Sequence, residues 1–298
     1  MKKIVLLLIL VISSRGFCEG FNPLVTTPKK TKFAIMIASY NNEPWLEWNL
    51  NSALTQNYDP DYFHIYYLND KSTDNTLQRA KEYVRQKGME HLVTFVDNKV
   101  NLKPIGNYHN GVKVCNIPDD HVIVILDGDD ALAGPNVLDY LNKIYRNPNR
   151  KIILTYGQFR EKNSGKIGFC SPYPDLVDQY GEYRNFVHIP SHLRTYYCWL
   201  FKKIKIEDLT YKDVYLPMAG DMGSMIPMVE MAKGHFHCIE HKVLYIYNDN
   251  NPLSEHFVNR QLQQDVDRYV RSRKRYDPLD KREKHKLTHR RRMKGMVK

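Results

Sequence analysis

Asp127, Asp129 and Asp130 fall within four positions of one another, in Leu126-Asp-Gly-Asp-Asp130, directly after the apolar run His121-Val-Ile-Val-Ile-Leu126. Carboxylates this close repel and raise one another's pKa unless a cation sits among them. Hard oxygen ligands of this kind suit Mg²⁺ or Mn²⁺, which bind through one or two carboxylates and share the rest of their coordination with substrate phosphates. Gly128 leaves room for a phosphate beside the backbone. An ordinary Asp-Gly turn is the plain alternative. Two further polar clusters count against it, because Ser39-Tyr40-Asn41-Asn42 and Asn69-Asp70-Lys71-Ser72-Thr73-Asp74 also follow apolar runs. A separate acid, Asp221, stands in Met218-Ala-Gly-Asp-Met-Gly-Ser-Met-Ile-Pro227. There it is either a carboxylate oriented by the N–H groups of a helix start or the cap of that helix.

Such residues need a scaffold, and the pattern supplies one. Phe33–Ser39, Phe63–Leu68, Leu92–Val96 and His121–Leu126 are compact apolar runs of the kind that form buried parallel strands. Helical spacing over Pro44–Leu54, 74–87 and 105–116 alternates with them. The alternation predicts an open, mainly parallel α/β sheet, whose ligands bind at the carboxyl ends of the strands, where all three polar clusters fall. Beyond residue 150 the reading is a strand over Ile152–Phe159, a loop-rich stretch over 160–187, and helices over 191–204 and 222–233. A strand over Val243–Tyr247 and a polar helix over 255–275 complete it.

Ala38-Ser-Tyr-Asn41, Leu68-Asn-Asp-Lys-Ser-Thr-Asp-Asn-Thr76 and Leu126-Asp-Gly-Asp-Asp130 together resemble three landmarks of the family-2 glycosyltransferases, in that family's order and approximate spacing. The resemblance covers residues 33–135 well and extends more weakly to 257. It implies a GT-A fold, Rossmann-like, with a mainly parallel central sheet flanked by helices. Residues 33–135 would be its nucleotide-binding half and 136–257 its acceptor half. The implied activity is inverting, metal-dependent transfer of a sugar from a nucleotide diphosphate, a UDP-sugar first of all, to a hydroxyl of a glycan, lipid or protein acceptor. In that scheme Ser39 and Tyr40 lie beside the nucleotide base, Asp70 contacts it, and Asn41 and His109 also belong to the nucleotide-binding set. Asp127 lies near the ribose and the metal, Asp129 ligates Mn²⁺ or Mg²⁺, and Asp221 is the general base. This chain departs from the family at three places. It has Asn69-Asp70 where two acids are usual, His109-Asn110 where Arg-Asn is common, and Gly220 where a glutamate normally precedes the base. His256 is a candidate extra metal ligand by analogy with the C-terminal histidines of such enzymes. Trp199 is a candidate acceptor platform, with core packing as the alternative. His235, His237 and His241 look like a metal cluster at a glance, but their loose spacing reads as ordinary packing and surface histidines.

The formal charge of +11 is concentrated at one end. From Arg271 to Lys298 thirteen basic residues face three acids, which accounts for +10 and leaves the body near neutral. No nucleic-acid motif accompanies this charge, so specific nucleic-acid binding is not expected. A solvated tail (258–298, with its polar helix) or contact with an anionic membrane surface is. Lys2 and Lys3 before the apolar run Ile4–Ile12 read as a signal peptide or a short membrane anchor over 1–20, followed by a linker over 21–32. The expected setting is the secretory pathway or a membrane, with the cytoplasmic face open if the segment only anchors. The five cysteines, Cys18, Cys115, Cys170, Cys198 and Cys238, contain no Cys-x-x-Cys pair, and their pattern neither requires nor forbids disulfides. Two other activities remain open on sequence. One is a nucleotide-sugar or glycan binder of the same fold without turnover. The other is a phosphohydrolase of the haloacid-dehalogenase kind, although its nucleophile motif normally sits on the first strand.

Overall fold

The computed structural model describes residues 30–252 and 260–279. The readings over residues 1–20, most of the 21–32 linker, His256 and the end of the basic tail therefore lie outside the described residues. No helix among those described is long and apolar enough to cross a membrane.

The first half alternates as its apolar runs require. Strands β1 (Phe33–Ser39), β2 (Phe63–Asn69), β3 (Val93–Asp97) and β4 (Val122–Asp127) are separated by helices α1 (Leu46–Leu54), α2 (Thr76–Gln86) and α3 (Lys103–Val114). A two-residue strand β5 (Ala131–Leu132) and helix α4 (Val137–Tyr145) follow. Next come β6 (Leu154–Glu161), the short α5 (Asp175–Tyr180), β7 (Thr195–Tyr197) and α6 (Cys198–Phe201). A small hairpin of β8 (Thr210–Tyr211) and β9 (Val214–Tyr215) leads to α7 (Gly220–Met231), β10 (Phe236–Tyr247) and α8 (Arg260–Ser272). One eight-stranded sheet in the order β3-β2-β1-β4-β7-β6-β10-β5 runs through both halves. It is parallel except at β7 and β5, which pair antiparallel with their neighbours.

Successive side chains of a strand point to opposite faces, so a strand covered on both sides must be apolar throughout. On β1, Phe33, Ile35 and Ile37 enter one core with α1, α2 and α4, while Ala34 and Met36 enter the other with α3 and α7. α7 is buried over almost its whole length, which explains its run of methionines and its lack of a polar face.

Two expectations fail, both in the second half. Residues 191–204 are not a helix: β7 is a strand wedged between β4 and β6, and only four residues of α6 are helical. Thr195, Tyr196 and Tyr197 are strand-formers, and the buried Thr195 hydroxyl bonds to Thr155 (2.6 Å) and Tyr145 (2.8 Å), fixing it inside the sheet. The last core strand begins seven residues before the expected Val243, because β10 runs from Phe236 with register shifts around Val243 that mask its alternation.

Candidate functional site

The carboxyl ends of β1, β2 and β4 open into a cavity of about 800 Å³ that also touches the start of α7 and one side of α8. Asp70, Asp127, Asp129, Asp130, His188, His192, Arg194 and Asp221 all border it. The acid-rich turn at its centre is pinned from below. Asn49 of α1, fully buried, donates from Nδ2 to the carbonyls of Asp127 (2.8 Å) and Asp130 (2.8 Å). Gly128 borders the cavity and is also required by packing. A Cβ there would lie 2.5 Å from Asn42 Nδ2, 2.7 Å from Ser39 Oγ and 2.8 Å from the Ala38 carbonyl.

Each acid of the turn has a different environment. Asp127 Oδ1 accepts from the Tyr108 hydroxyl (2.7 Å), and its Oδ2 lies 3.4 Å from Arg194 Nη2. Asp130 is buried, its Oδ2 accepting from the Tyr245 hydroxyl (2.6 Å) and its Oδ1 from the Asn248 N–H (2.6 Å). Burial, then the charges of Asp129 and Asp127, pushes the Asp130 carboxyl far above the usual range. Asp129 accepts from the Asn251 amide (2.6 Å). Burial raises it to about 6, with Asp127 adding to the shift and Asn251 opposing it. Among the described residues, the ligand atoms that converge within 4.8 Å belong to Asp127, Asp130 and His192. The expected pair was Asp127 with Asp129. Asp129 instead faces Asn251, with its carboxylate on the cavity wall. Burial lowers His192 to about 3, so its ring is neutral near pH 7 and keeps a lone pair. Two aspartates and a neutral imidazole, with a third aspartate beside them, are a donor set suited to Mg²⁺ or Mn²⁺.

On the facing wall Asp221 sits in the first turn of α7, and the N-cap is Ala219. Asp221 is therefore not the cap, and its Oδ1 accepts from the Met222 N–H (2.8 Å). Its Oδ2 lies 3.4 Å from His188 Nε2 and 3.5 Å from Arg194 Nη1. Burial alone would raise this acid, but His188 and then Arg194 outweigh it and hold Asp221 well below the usual carboxylate range. Arg194 is 8% exposed and spans the cavity floor between Asp127 and Asp221. The family's usual glutamate has no room at position 220, where a Cβ would come within 2.9 Å of Ile105 Cβ. Ala219, the N-cap two residues before Asp221, holds φ +53°, a left-handed conformation that a side chain disfavours.

The nucleotide-side residues divide into those that face the cavity and those that build it. Tyr40 is 40% exposed on the rim. Asp70 borders the cavity, yet its oxygens accept from the Leu102 (2.6 Å) and Lys103 (3.0 Å) N–H groups, so it also caps α3. Ser39 is buried and takes hydrogen bonds from Tyr67 (2.9 Å) and Asn42 (3.2 Å). Asn41, at φ +51°, clamps the following loop through Ser72 and Thr73. His109 does not border the cavity. It lies one residue round α3 from Tyr108, with Nδ1 2.8 Å from the Tyr215 hydroxyl. Trp199 is at the wrong end of the sheet for an acceptor platform. Its neighbour Tyr197 pairs with Val122, at the amino end of β4, and Trp199 stacks on Tyr197 there. His235 meets the Lys151 carbonyl and His241 is exposed beside Glu240, so the histidine trio forms no cluster.

Sequence reasoning passed over Tyr108, Tyr245, His188 and Asn49, and gave His192 and Arg194 no role in the site. Asn49 had left one signal, an amide on the apolar stripe of α1 beside Leu46, Leu50 and Ala53. Tyr108 lies on α3 and reaches Asp127 at the end of β4, while His188, His192, Arg194 and Tyr245 come together only through the ends of β7, α7 and β10.

A sequence model described as Glycosyl transferase family 2 matches residues 34–210. No curated protein matches. Among solved structures, residues 1–349 of S. aureus TarS in complex with UDP-GlcNAc align at a TM-score of 0.59 and 17% identity, over 80% of this chain and 65% of that one. A mannosyltransferase, PcManGT from Pyrobaculum calidifontis, in complex with GDP-Man and Mn²⁺, aligns at 0.51 and 13% identity, over 76% of this chain and 59% of that one. The chain thus spans less than two thirds of either structure. At these identities the likeness is one of fold, and the fold is GT-A.

Proposed function

The chain belongs to glycosyl transferase family 2, and on that premise we propose that it transfers a sugar from a nucleotide diphosphate, a UDP-sugar first of all, to an acceptor hydroxyl with inversion. The observation that carries this reading is the single cavity in which the acid-rich turn and Asp221 face each other, linked by Arg194. The two solved relatives hold UDP-GlcNAc in one case and GDP-Man with Mn²⁺ in the other. Here a divalent cation would be held where Asp127, Asp130 and His192 converge, with Asp129 beside them on the cavity wall, and would supply Lewis acidity toward a leaving diphosphate.

The protein's own groups account for the rest. Asp221 takes the acceptor proton on Oδ2, the oxygen turned toward His188 and Arg194. A base on the wall opposite the diphosphate site favours direct displacement, hence inversion. Arg194 couples the two ends. When an incoming diphosphate competes for its guanidinium, Asp221 loses a cationic neighbour and its proton affinity rises, which brings the base closer to its working range. Tyr108 and Tyr245 keep their protons, because burial and the adjacent carboxylates push both phenols up. They stay donors that hold Asp127 and Asp130 in place. Gln263, Gln264 and Asp267 of α8 give the acceptor end a polar wall.

The test is a panel of UDP- and GDP-sugars with Mn²⁺, read as release of nucleotide diphosphate without acceptor. Asp129→Ala should weaken Mn²⁺-UDP binding at least tenfold. Asp221→Asn should leave that binding within about twofold while lowering turnover by roughly 10²–10⁴. Equal binding of Mn²⁺-UDP by Asp129→Ala and the parent would overturn the metal assignment. Loss of binding and turnover together in Asp221→Asn would make that residue structural.

A further inference from the structure

The segment that returns beside β6 brings two thiols together. Cys170 and Cys238 have their sulfurs 3.3 Å apart, 68 residues apart in sequence. Both are free thiols, Cys170 buried and Cys238 partly exposed. The surroundings fix the pair. Cys238 sits opposite Tyr156 in the β6–β10 register. On the other side, the Tyr156 hydroxyl donates to the Ser171 carbonyl (3.2 Å) and the Gln158 amide to the Cys170 carbonyl (3.4 Å). Cys170 and Tyr156 belong to one core cluster, and Cys238 packs against it.

We propose that Cys170 and Cys238 form a disulfide when the folded protein meets a low-molecular-weight disulfide such as oxidised glutathione. The 3.3 Å separation leaves a short closure to a bonding distance of about 2.0 Å. The Cys238 thiolate attacks one sulfur of the small disulfide, forming a mixed disulfide and expelling one thiolate, which takes up the proton that Cys238 lost. Cys170 then gives up its proton and attacks Cys238 Sγ, expelling the second small thiol. Two protein thiols are oxidised, and the one disulfide bond of the reagent is reduced to two thiols. The order of attack follows from exposure, since Cys238 is the less buried residue of the pair. It also follows from the hydrogen bond between the pair, which lowers Cys238 and raises Cys170. Phe169, next in sequence to Cys170, is 61% exposed and borders the sugar-transfer cavity. The bond would therefore tie this part of the cavity rim to β10. The chemistry is independent of whether the cavity transfers sugar.

The full chain, kept native at neutral pH with oxidised glutathione, is then denatured in excess maleimide and peptide-mapped by mass spectrometry. The expected result is a Cys170–Cys238 cross-link with Cys115 and Cys198 alkylated, reversed by dithiothreitol. Cys238→Ser should leave Cys170 alkylated and uncross-linked. Alkylation of both Cys170 and Cys238 after oxidation would overturn the proposal, as would stable glutathionylation of Cys238 without closure.

Discussion

Asp221 and Asp129 are two acids of one cavity pushed in opposite directions, and each direction gives a measurable pH dependence. Asp221 is held well below the ordinary carboxylate range by His188 and Arg194 against its burial. It stays ionised wherever an ordinary aspartate would begin to protonate. The kcat/KM profile of the free enzyme should accordingly show no acid limb from Asp221 near pH 4. In Arg194→Gln an acid limb should enter the profile from below as the carboxyl relaxes upward. If the two profiles coincide, Arg194 does not tune the base. Asp129 is raised from 3.8 to about 6. For a carboxyl raised by folding, both states are protonated below 3.8 and nothing is lost. Between 3.8 and 6 the unfolded chain releases the proton while the folded chain keeps it, so stability falls as pH rises through that window. In chelator-treated protein, Asp129→Asn should gain on the parent from pH 4 to 7, by up to about 3 kcal/mol at roughly 1.4 kcal/mol per unit. Thermal melts across that range check it, and a constant difference between the two proteins would refute the assignment.

At the scale of elements, close approaches decide more than the sequence pattern suggests. Gly128 rests against Asn42, Ser39 and the Ala38 carbonyl, where the end of β4 meets the end of β1. Gly128→Ala must displace that junction and should cost about 1–3 kcal/mol by denaturant unfolding. A variant with an unchanged midpoint and weakened donor binding would return this glycine to a phosphate role. The same contrast shows what was legible beforehand. β1, β2 and β4 were readable because a parallel strand covered on both faces must be an apolar run, and the site's acids were readable because they stand where those runs stop. β7 was not, since three strand residues enclosed by a buried arginine and a short helix leave no period to detect. Arg194 and His188 were hidden for the same reason, because their partners lie on β4 and α7, far off in sequence. Trp199 misled because aromatic content says what a residue can stack on, not which end of a strand it occupies.

Across the whole molecule, the end of the cavity proposed to take the acceptor depends on a clasp remote from Asp127 and Asp221. Arg184 and Glu230, both almost fully buried, form a paired hydrogen bond (2.8 and 3.0 Å). Arg184 also donates to the Val270 carbonyl (2.6 Å), while Glu230 accepts from the Tyr276 N–H (3.0 Å), so the pair binds α7 to the end of α8. Arg273 and Arg275 add ion pairs to Asp208 and Glu182, the second on the surface, which tie the start of the basic tail to the fold. Arg260, Gln263, Gln264 and Asp267 on α8 border the cavity. Removing one partner of a buried pair strands the other charge, so Glu230→Ala should cost about 3–5 kcal/mol. The loss should not fall evenly on function. With α8 released, the acceptor wall goes first, while Asp127, Asp129 and Arg194 are held by β4, β7 and α1. At temperatures where Glu230→Ala remains folded, donor hydrolysis should persist while transfer to an added acceptor drops at least tenfold. Arg184→Met with Glu230→Met removes both charges and should recover part of the stability. It should not recover all of it, because the Val270 carbonyl and the Tyr276 N–H still lack their partners. Hydrolysis and transfer falling in parallel in Glu230→Ala would mean that the clasp supports the whole sheet and has no special bearing on the acceptor.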